Sequence, residues 1–594
     1  MGWHFRRLLA EEEAERKYPD RVLIAKLIKL ALSYKLYFIA LAIATFARIG
    51  LNVLMPYTVK FLVDSIVSGN LSSLAYWSVV FLALALGSLI MGFVNSYSSS
   101  YLGNKVMYDL RNEMYRHLHR VRLQEVAGEP VGKIVSRITN DVDTIGNVAT
   151  SGLLDTIGDV ITIGGAMLMM WSLSPQLSLV CYMLIPLMAL ANAAVISKAR
   201  KAYRETRRKI AEVTSRISQD VAGASVVQAF SYRKRRNVEE FRRINEENMR
   251  ANVQAAAITS SMSPLMAIIQ AVGSAIILIY GGNLVLQGLL SLGTLMAFYG
   301  YLDMFFRPVR TLVMFFTTLQ STLAATERVF TFLEWEPERD EGEIEEPPMR
   351  GEVEFRNVTF GYEEGVPVLK NVSFKVRPGE FVAIVGPTGA GKTTLVNLLL
   401  RFYEPWSGEI LVDGVDVRKY KLSALRGAIL MVPQEPLLIS GSVLDNVLLA
   451  NPRATAEDVK RALKALGLED IIESLPEGLE TRVLEGGKNL SVGQRQVISF
   501  LRVFIANPKI LVLDEATSSV DPYTEAKLQA ALEKLARSRT TIVIAHRLQT
   551  VVNADRIIVL DGGRVVEEGR HEELLRKGGV YARLYGIQLG IAAR

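Results

Sequence analysis

The chain has 594 residues, more than one hydrophobic core usually holds, since domains mostly contain about 100–200 residues. Half of the residues are apolar and the mean hydropathy is +0.22. The formal net charge of +7 is concentrated in loops beside apolar runs, which favours a membrane-topology signal over a nucleic-acid partner. A single cysteine, Cys181, excludes an intrachain disulfide. We therefore expect a membrane domain followed by a soluble one, with no nucleic-acid partner.

The first residues carry an acidic run and lack the apolar core of a signal peptide. Residues 21–34 alternate lysine with apolar residues at helical spacing. This pattern is typical of an amphipathic helix on the inner membrane surface, and a simple extension of the following span fits it equally well. We expect residues 1–34 to form a cytoplasmic N-terminal segment.

Six later stretches are apolar over the roughly 20 residues that a helix needs to cross a bilayer. The loops after the first, third and fifth stretches are short and nearly free of Lys and Arg, whereas the other connections are long and basic. Basic loops face the cytoplasm, so both termini are expected there. The sequence thus predicts an all-α membrane domain over residues 35–333 with spans near 35–63, 73–101, 146–171, 176–197, 258–282 and 292–318.

The two long cytoplasmic connections keep helical periodicity throughout. We expect helices that continue well past the bilayer and form hairpins. Residues 132–145 and 216–241 are predicted to be the hairpin tips, where a soluble domain could be met.

The ionisable residues inside the predicted spans include Arg48, Asp155 and Asp159, and also Asp303 and Arg307, whose opposite charges four residues apart favour a structural pair. Charges at membrane depth are costly and are functional candidates by default. Asp155 and Asp159 are four residues apart and share a helix face. They could line a substrate cavity that favours cations, or they could form a structural ion pair with Arg48.

Residues 334–350 are acidic, contain proline and lack apolar periodicity, which predicts a linker. The remaining residues, 351–594, begin with an alternating strand and a short apolar run, FVAIV. A glycine-rich loop and an apolar helix follow, and strand–loop–helix is the context that a phosphate-binding P-loop requires. Its backbone N–H groups would bind phosphate oxygens, and the loop comprises Gly386, Pro387, Thr388, Gly389, Ala390, Gly391, Lys392, Thr393 and Thr394.

Within this loop, Lys392 is predicted to reach the β- and γ-phosphates of ATP, and the Thr393 hydroxyl to bind Mg²⁺. Farther along, the strand KILVLD ends in Asp514, and Glu515 follows. Two adjacent carboxylates at a buried strand end suit ATP hydrolysis. One would hold Mg²⁺ through water and the other would orient and deprotonate the attacking water.

Between these motifs lies a run that resembles the signature motif of ATP-binding-cassette (ABC) proteins: Leu490, Ser491, Val492, Gly493 and Gln494. Other hallmarks of that family follow its order. Tyr362 resembles the aromatic residue that stacks on adenine, and Gln434 the Q-loop glutamine that also contacts Mg²⁺. Asp521 matches the D-loop, His546 the switch histidine, and Glu485 an acidic residue near the intracellular loops of exporters.

The resemblance covers nearly the whole chain and identifies an exporter-type half-transporter of the multidrug and lipid exporter group. It implies an α/β P-loop ATPase after the membrane domain, and two cassettes that sandwich ATP, with Ser491 and Gly493 on the partner's nucleotide. A homodimer is favoured over a heterodimer, in a cell membrane with the ATPase in the cytoplasm. Export or flipping of hydrophobic or amphipathic molecules is expected, with import and an ATP-gated channel as alternatives. One departure stands out: residues 125–129 read EVAGE, where many relatives have a Phe-Phe-Asp run.

Overall fold

The structure is a computed structural model that describes residues 18–148, 152–514, 522–537, 539–545 and 551–588. The chain divides into two compact units. A helical unit comprises Met1–His119 and Pro130–Glu334, and an ATPase unit comprises Arg120–Glu129 and Trp335–Arg594. A ten-residue piece from the first half of the sequence therefore clusters with the second half.

In the part that the structure describes, the helical unit is built of α-helices, and short π-helical turns occur at Arg137–Asp141 and Ile277–Gly281. A turn at Ser33–Tyr34 separates the first helix, Asp20–Leu32, from the next, so it is not an extension of the first span. The helices are Asp20–Leu32, Lys35–Val67, Leu71–Leu118, Val131–Ser136, Val142–Asn147, Leu153–Leu173, Pro175–Tyr182, Leu184–Ala222, Ala224–Ala229, Ser231–Ser260, Met262–Ile276, Gly282–Leu286 and Leu292–Leu333.

In the described part of the chain, five helical stretches are long and apolar enough to cross a membrane: Lys35–Val67, Leu71–Leu118, Leu154–Leu173, Pro175–Ala222 and Lys234–Leu286. The sixth predicted span falls in the continuous helix Leu292–Leu333, whose apolar sequence is interrupted by Asp303 and Arg307. Several helices run far past the membrane. Leu71–Leu118 has 48 residues, about 72 Å at 1.5 Å per residue, against a hydrocarbon core of about 30 Å.

Small residues and polar bonds hold the helices together. An added Cβ on Gly158 would lie 3.0 Å from Ile49, and one on Gly165 would lie 3.3 Å from Val53. Asn95 donates a hydrogen bond of 2.6 Å to the hydroxyl of Thr45 on the neighbouring helix. Close backbone approach and interhelical hydrogen bonds are the means of helix association in lipid, where apolar surface provides little driving force.

The predicted tip of the first hairpin was wrong. Residues 132–145 lie on the returning arm, and the tip is the short helix Leu123–Ala127. Gly128 ends this helix and Pro130 precedes the next one, because proline lacks the N–H that a helix interior needs. The second tip is Ala224–Ala229, inside the predicted range.

The ATPase unit contains twelve strands in its described part: β1 (Val353–Phe360), β2 (Leu369–Val376), β3 (Phe381–Val385), β4 (Ser407–Val412), β5 (Val415–Asp416), β6 (Ile429–Val432), β7 (Gly441–Ser442), β8 (Arg482–Val483), β9 (Ile510–Asp514), β10 (Thr540–Ile544), β11 (Arg556–Asp561) and β12 (Arg564–Gly569). Its α-helices are Leu123–Ala127, Lys392–Leu399, Leu422–Ala428, Val443–Leu448, Ala456–Leu466, Glu469–Glu473, Val492–Ala506, Pro522–Ala536, His571–Lys577 and Val580–Gln588.

The principal sheet has the order β12-β11-β3-β10-β9-β6, and all its pairings are parallel except β11 with β12. Strands β3, β9 and β10 are nearly continuous apolar runs and are largely buried, as expected for central parallel strands covered on both faces. A second, antiparallel sheet has the order β2-β1-β4-β5. The parallel arrangement places the carboxyl ends of β3, β10, β9 and β6 at one edge.

Candidate nucleotide site and coupling segments

The glycine-rich loop connects β3 to the helix Lys392–Leu399. Gly391 precedes this helix with φ +100°, a conformation that L side chains rarely adopt. A Cβ added to Gly386 would lie 2.2 Å from the Leu560 carbonyl oxygen of β11. The backbone of this loop therefore requires glycine at positions 386 and 391. The loop leads directly into the N-terminus of a helix, where free N–H groups favour the binding of phosphate.

Lys392 is almost completely buried, at 6% exposure. Its ammonium group donates hydrogen bonds to the carbonyl oxygens of Gly386, at 2.7 Å, and Pro387, at 3.1 Å. Thr393, next along, is exposed, whereas Thr394 is buried. The Lys392 ammonium group is thus bound to carbonyl oxygens of its own loop, and the Thr393 hydroxyl is accessible at the surface. A buried cation beside an accessible hydroxyl is compatible with an ATP site.

Tyr362 lies close to this loop. Its hydroxyl is 3.2 Å from the Thr394 hydroxyl and accepts a hydrogen bond from the Asn397 amide at 3.2 Å. Its ring meets those of Phe360 and Tyr403 edge to face, with centroids 5.2 and 5.1 Å away. Burial, with a smaller contribution from Tyr362, raises the pKa of Tyr403, so the Tyr403 phenol stays uncharged at neutral pH.

A cavity of about 410 Å³ opens beside Tyr362. Its lining includes aromatic residues and charged residues from the ATPase unit, among them Arg122, Gln124, Glu338, Phe360, Tyr403 and Trp406. Its wall combines aromatic rings with charged side chains, among which are also Arg339, Glu364, Arg401 and Glu404. The rings offer a planar base a surface to stack on.

The sheet brings further predicted residues to the same edge. Asp514 ends β9 and pairs in register with Ile544, the last residue of β10. Gln434 lies two residues after the end of β6 and is exposed. Glu515, Asp521 and His546 lie outside the described residues.

The signature run begins the helix Val492–Ala506. Ser491 forms a reciprocal capping box with Gln494: its hydroxyl accepts the Gln494 N–H at 3.2 Å, and the Gln494 side chain accepts the Ser491 N–H at 2.9 Å. Leu490 and Gly493 are buried and Val492 is half-buried, whereas Ser491 is exposed. The motif therefore has a rigid helix start with one accessible hydroxyl.

Sequence reasoning missed a buried link between this helix and the segment after Gln434. Arg502 donates hydrogen bonds to the carbonyl oxygens of Asn446, at 2.7 Å, and Leu437, at 2.9 Å. Asn446 is fully buried and donates to the Ile439 carbonyl oxygen at 2.9 Å. This network cannot be predicted from a local sequence pattern, because its members come from two separate stretches of chain.

The tip of the first hairpin is held by the segment predicted to be a linker. The Arg122 N–H donates to the Glu336 carbonyl oxygen at 3.2 Å, and the Glu338 N–H donates to the Arg120 carbonyl oxygen at 2.6 Å. The Arg122 guanidinium also pairs with the Glu336 carboxylate at 2.7 Å. These contacts do not involve residues 125–129, where the chain departs from the resembled pattern.

The same segment is attached to the end of the P-loop helix. Arg426 forms a bidentate ion pair with Glu338, at 2.5 and 3.0 Å, and donates to the carbonyl oxygens of Leu400 and Arg401. Arg401 in turn donates to the Arg339 carbonyl oxygen at 3.0 Å. A cation at the C-terminal carbonyls of a helix is electrostatically favoured. Residues 336–339 therefore join the hairpin tip to the phosphate-loop helix.

The structure does not pair Arg48 with either aspartate: no ion pair joins them within the part of the chain that the structure describes. Asp155 is exposed and Asp159 half-buried in the isolated chain. The Thr311 hydroxyl donates a hydrogen bond to Asp159. Arg48 is near enough to act on the Asp155 carboxylate electrostatically. Of the two alternatives that the sequence left open, a direct ion pair with Arg48 is therefore not formed among the described residues, and Asp159 is bound instead by Thr311 of another helix.

Comparisons with known proteins agree with this arrangement. Residues 38–309 match the family described as ABC transporter transmembrane region, and residues 369–518 match ABC transporter. A fatty acid ABC transporter ATP-binding/permease protein from Mycobacterium bovis is 36% identical, over 85% of this chain and 80% of its own. An ATP-dependent lipid A-core flippase from Syntrophus aciditrophicus is 35% identical, over 95% of this chain and 94% of its own.

A solved structure of a bacterial Atm1-family ABC exporter with ATP bound is similar over the whole length. Its TM-score is 0.73 and its identity 27%, covering 97% of this chain and 99% of that one. The fold and the site thus define a membrane domain fused to a nucleotide-binding ATPase. The chain belongs to the ABC transporter family, in its exporter-type form, and is a multi-pass membrane protein that couples ATP hydrolysis to export.

Proposed function

We propose that this chain is one half of a dimeric exporter that moves hydrophobic or amphipathic molecules, lipids among them, out of the cytoplasmic side of a cell membrane. The observation that carries the proposal is the single sheet edge at which the P-loop, Asp514 and Gln434 meet, in a chain that also carries membrane-spanning helices. ATP chemistry and membrane passage therefore belong to the same polypeptide. The domain limits we propose are 1–34, 35–333, 334–350 and 351–594.

Each residue at the nucleotide site receives a role in this proposal. Tyr362 stacks on adenine, residues 386–394 hold the phosphates, and Lys392 turns from its own loop carbonyls to the β- and γ-phosphates. Glu515 activates the attacking water and His546 contacts the γ-phosphate. Asp521 communicates between the two sites of a dimer.

Mg²⁺ would be held by Thr393, Gln434 and Asp514. Within the described residues no group of three His, Cys, Asp or Glu could bind a metal by itself. The oxygen donors of Thr393, Gln434 and Asp514 fit Mg²⁺, which commonly binds through one or two protein oxygens, substrate phosphates and water. The ion would neutralise the charge that develops on the phosphates.

Dimerisation follows from the signature helix. Its N-terminus with the exposed Ser491 is a second phosphate-type site, yet the chain's own phosphates are already held by residues 386–394. Ser491 and Gly493 would therefore cap ATP on a partner. The second hairpin tip and its flanks support this, because Val221, Val226 and Phe230 are 60–70% exposed and suit burial against another chain. An intact Glu515 and signature motif favour a homodimer over a heterodimer.

The membrane is a plasma or inner membrane, with the ATPase on the cytoplasmic side. The basic long connections and the nearly uncharged short ones set this orientation through the positive-inside rule. Export is favoured over import or an ATP-gated channel because a relative named as a lipid A-core flippase and a solved structure named as an Atm1-family exporter both cover most of the chain.

A preference for cations is a second candidate for substrate choice. It rests on Asp155 and Asp159, which share a helix face and lack an ion-pair partner in the described residues. Replacing both with Asn should weaken transport of cationic compounds and spare neutral ones. An equal loss for both classes would remove this candidate.

The decisive experiment measures ATP hydrolysis by the purified full-length chain in lipid, with cationic, neutral, anionic and lipid-like compounds. Robust hydrolysis that some compounds change, and that Glu515→Gln removes, would support a working homodimeric exporter. Well-folded protein that binds ATP without hydrolysing it would contradict the homodimer and indicate a different partner chain.

A further inference from the structure

One face of the helix Leu184–Ala222 forms an amphipathic cavity of about 470 Å³. Its lining residues recur every three or four positions along a single stripe: Ala193, Ile196, Ser197, Arg200, Lys201 and Arg204. The apolar residues come first in the chain and the cations last. The positive-inside rule places the cationic end at the cytoplasmic surface and the apolar end deeper in the bilayer.

The three cations of this cavity are exposed and form no ion pair within the described residues. Farther along the same hairpin, some cations are neutralised: Arg208 pairs with Glu205 at 2.6 Å, and Arg250 pairs with Glu246 at 2.7 Å. Arg200, Lys201 and Arg204 instead place three unneutralised cations side by side on one stripe of the helix.

The nearest carboxylate on the same helix, Glu205, is paired with Arg208, and the hairpin register explains why the facing helix supplies none to the cavity. Lys209 pairs with Glu247, and Arg216, seven residues on, pairs with Glu240, seven residues back. In this register Arg204 and Arg200 lie opposite Asn252 and Ala256. The sequence has no Asp or Glu between residues 160 and 204 or between residues 248 and 302.

We propose that this cavity binds an anionic amphiphile of the inner leaflet, with its headgroup on Arg200, Lys201 and Arg204 and its acyl chain along Ala193 and Ile196. Guanidinium groups suit phosphate and carboxylate headgroups because they donate paired hydrogen bonds. The apolar end of the stripe matches the hydrocarbon that such a headgroup carries. The further step, that the bound amphiphile is cargo, rests on the proposed export function.

Native mass spectrometry of the full-length protein in neutral detergent tests the site. Dioleoylphosphatidylglycerol is the probe and dioleoylphosphatidylcholine the matched zwitterionic lipid. The triple variant R200Q/K201Q/R204Q should bind phosphatidylglycerol at least about tenfold more weakly than the unaltered protein. Its binding of phosphatidylcholine should not change. Inorganic phosphate at millimolar concentration should not displace the lipid, because it lacks the acyl chain.

The matched control is R208Q/R235Q/R250Q, which removes three charges from ion-paired positions of the same hairpin and should bind phosphatidylglycerol normally. Equal weakening by both triple variants, or none by the first, would overturn the site. Glu515→Gln should bind the lipid normally while losing hydrolysis. If lipid binding follows this pattern but the protein moves no lipid across vesicle membranes, the binding site is supported and the proposal that the bound lipid is cargo is rejected.

Discussion

The two long helical hairpins of this chain end differently. The first tip, Leu123–Ala127 with its flanking residues 120–122 and 128–129, clusters with the ATPase unit and is fastened through Arg122 and the backbone of residues 336–338. The second tip, Ala224–Ala229, stays with the helical unit, and Val226 within it and Phe230 just after it are more than half exposed. The first tip forms hydrogen bonds and an ion pair within its own chain, whereas the second tip leaves apolar side chains exposed.

This difference indicates two modes of coupling in one exporter. Polar and backbone bonds are directional, so the first tip is held in one register next to the P-loop helix. Exposed apolar surface gains from burial and has little directional demand, so the second tip suits a partner that approaches and leaves. We therefore expect the first tip to find its contacts within its own chain and the second tip to need a partner chain.

The largest expected effect concerns the ATPase that both tips would serve. Glu515→Gln removes the proposed general base, so hydrolysis should fall at least about 100-fold while ATP binding persists. Steady-state turnover in lipid and equilibrium binding of labelled ATP measure the two properties. Hydrolysis near the unaltered rate would mean that another group activates water.

Disrupting the second tip should have the next largest effect. The double change V226D/F230D places charges on surface that we expect a partner to bury, so hydrolysis in lipid should fall about tenfold. Val238→Asp is the matched control, because Val238 is 66% exposed on the adjoining helix. If the double variant hydrolyses ATP as fast as V238D, the second tip has no partner contact.

The first tip should respond less strongly, since the Arg122–Glu336 pair is partly exposed and such pairs contribute modestly. Arg122→Glu should lower compound-stimulated hydrolysis about threefold and leave ATP affinity unchanged. The exchange R122E/E336R should recover most of the loss. A single variant as active as the original, or an exchange that restores nothing, would show that this pair does not carry coupling.

Glu485 should give the smallest effect. It is exposed in the loop before the signature helix, and we expect an acidic group there to meet the exposed basic residues 234–236 that follow a partner's second tip. Glu485→Gln should reduce stimulated hydrolysis by no more than about twofold, with the reduction vanishing at high salt. A reduction that salt does not alter would indicate a structural role instead.

Much of the nucleotide site could be predicted because its determinants are local. Gly386 to Thr394 are contiguous, and the positive φ of Gly391 is a property that glycine itself permits. Asp514 was identifiable because it ends a buried apolar strand. The strands β3, β9 and β10 are visible for the same reason, since central parallel strands read as unbroken apolar runs.

Other contacts could not be predicted because they join distant stretches of chain. Residues 334–350 have no apolar period and look like a free linker, yet Glu338 pairs with Arg426, 88 residues away. Arg502 finds Asn446 across 56 residues. The local sequence around a charged residue does not indicate which opposite charge or carbonyl oxygen it will contact in the folded protein.

The sequence by itself therefore determined the class of this protein, through the hydropathy of its membrane helices and the contiguous motifs of its ATPase, whereas its orientation stays a prediction from the placement of Lys and Arg. Only the tertiary structure decided where the first hairpin turns, what holds its tip, and which cations remain unpaired at the membrane edge. The physical reason is that hydropathy and backbone preference act on neighbouring residues, whereas hydrogen bonds and ion pairs depend on which distant groups folding brings within about 3 Å.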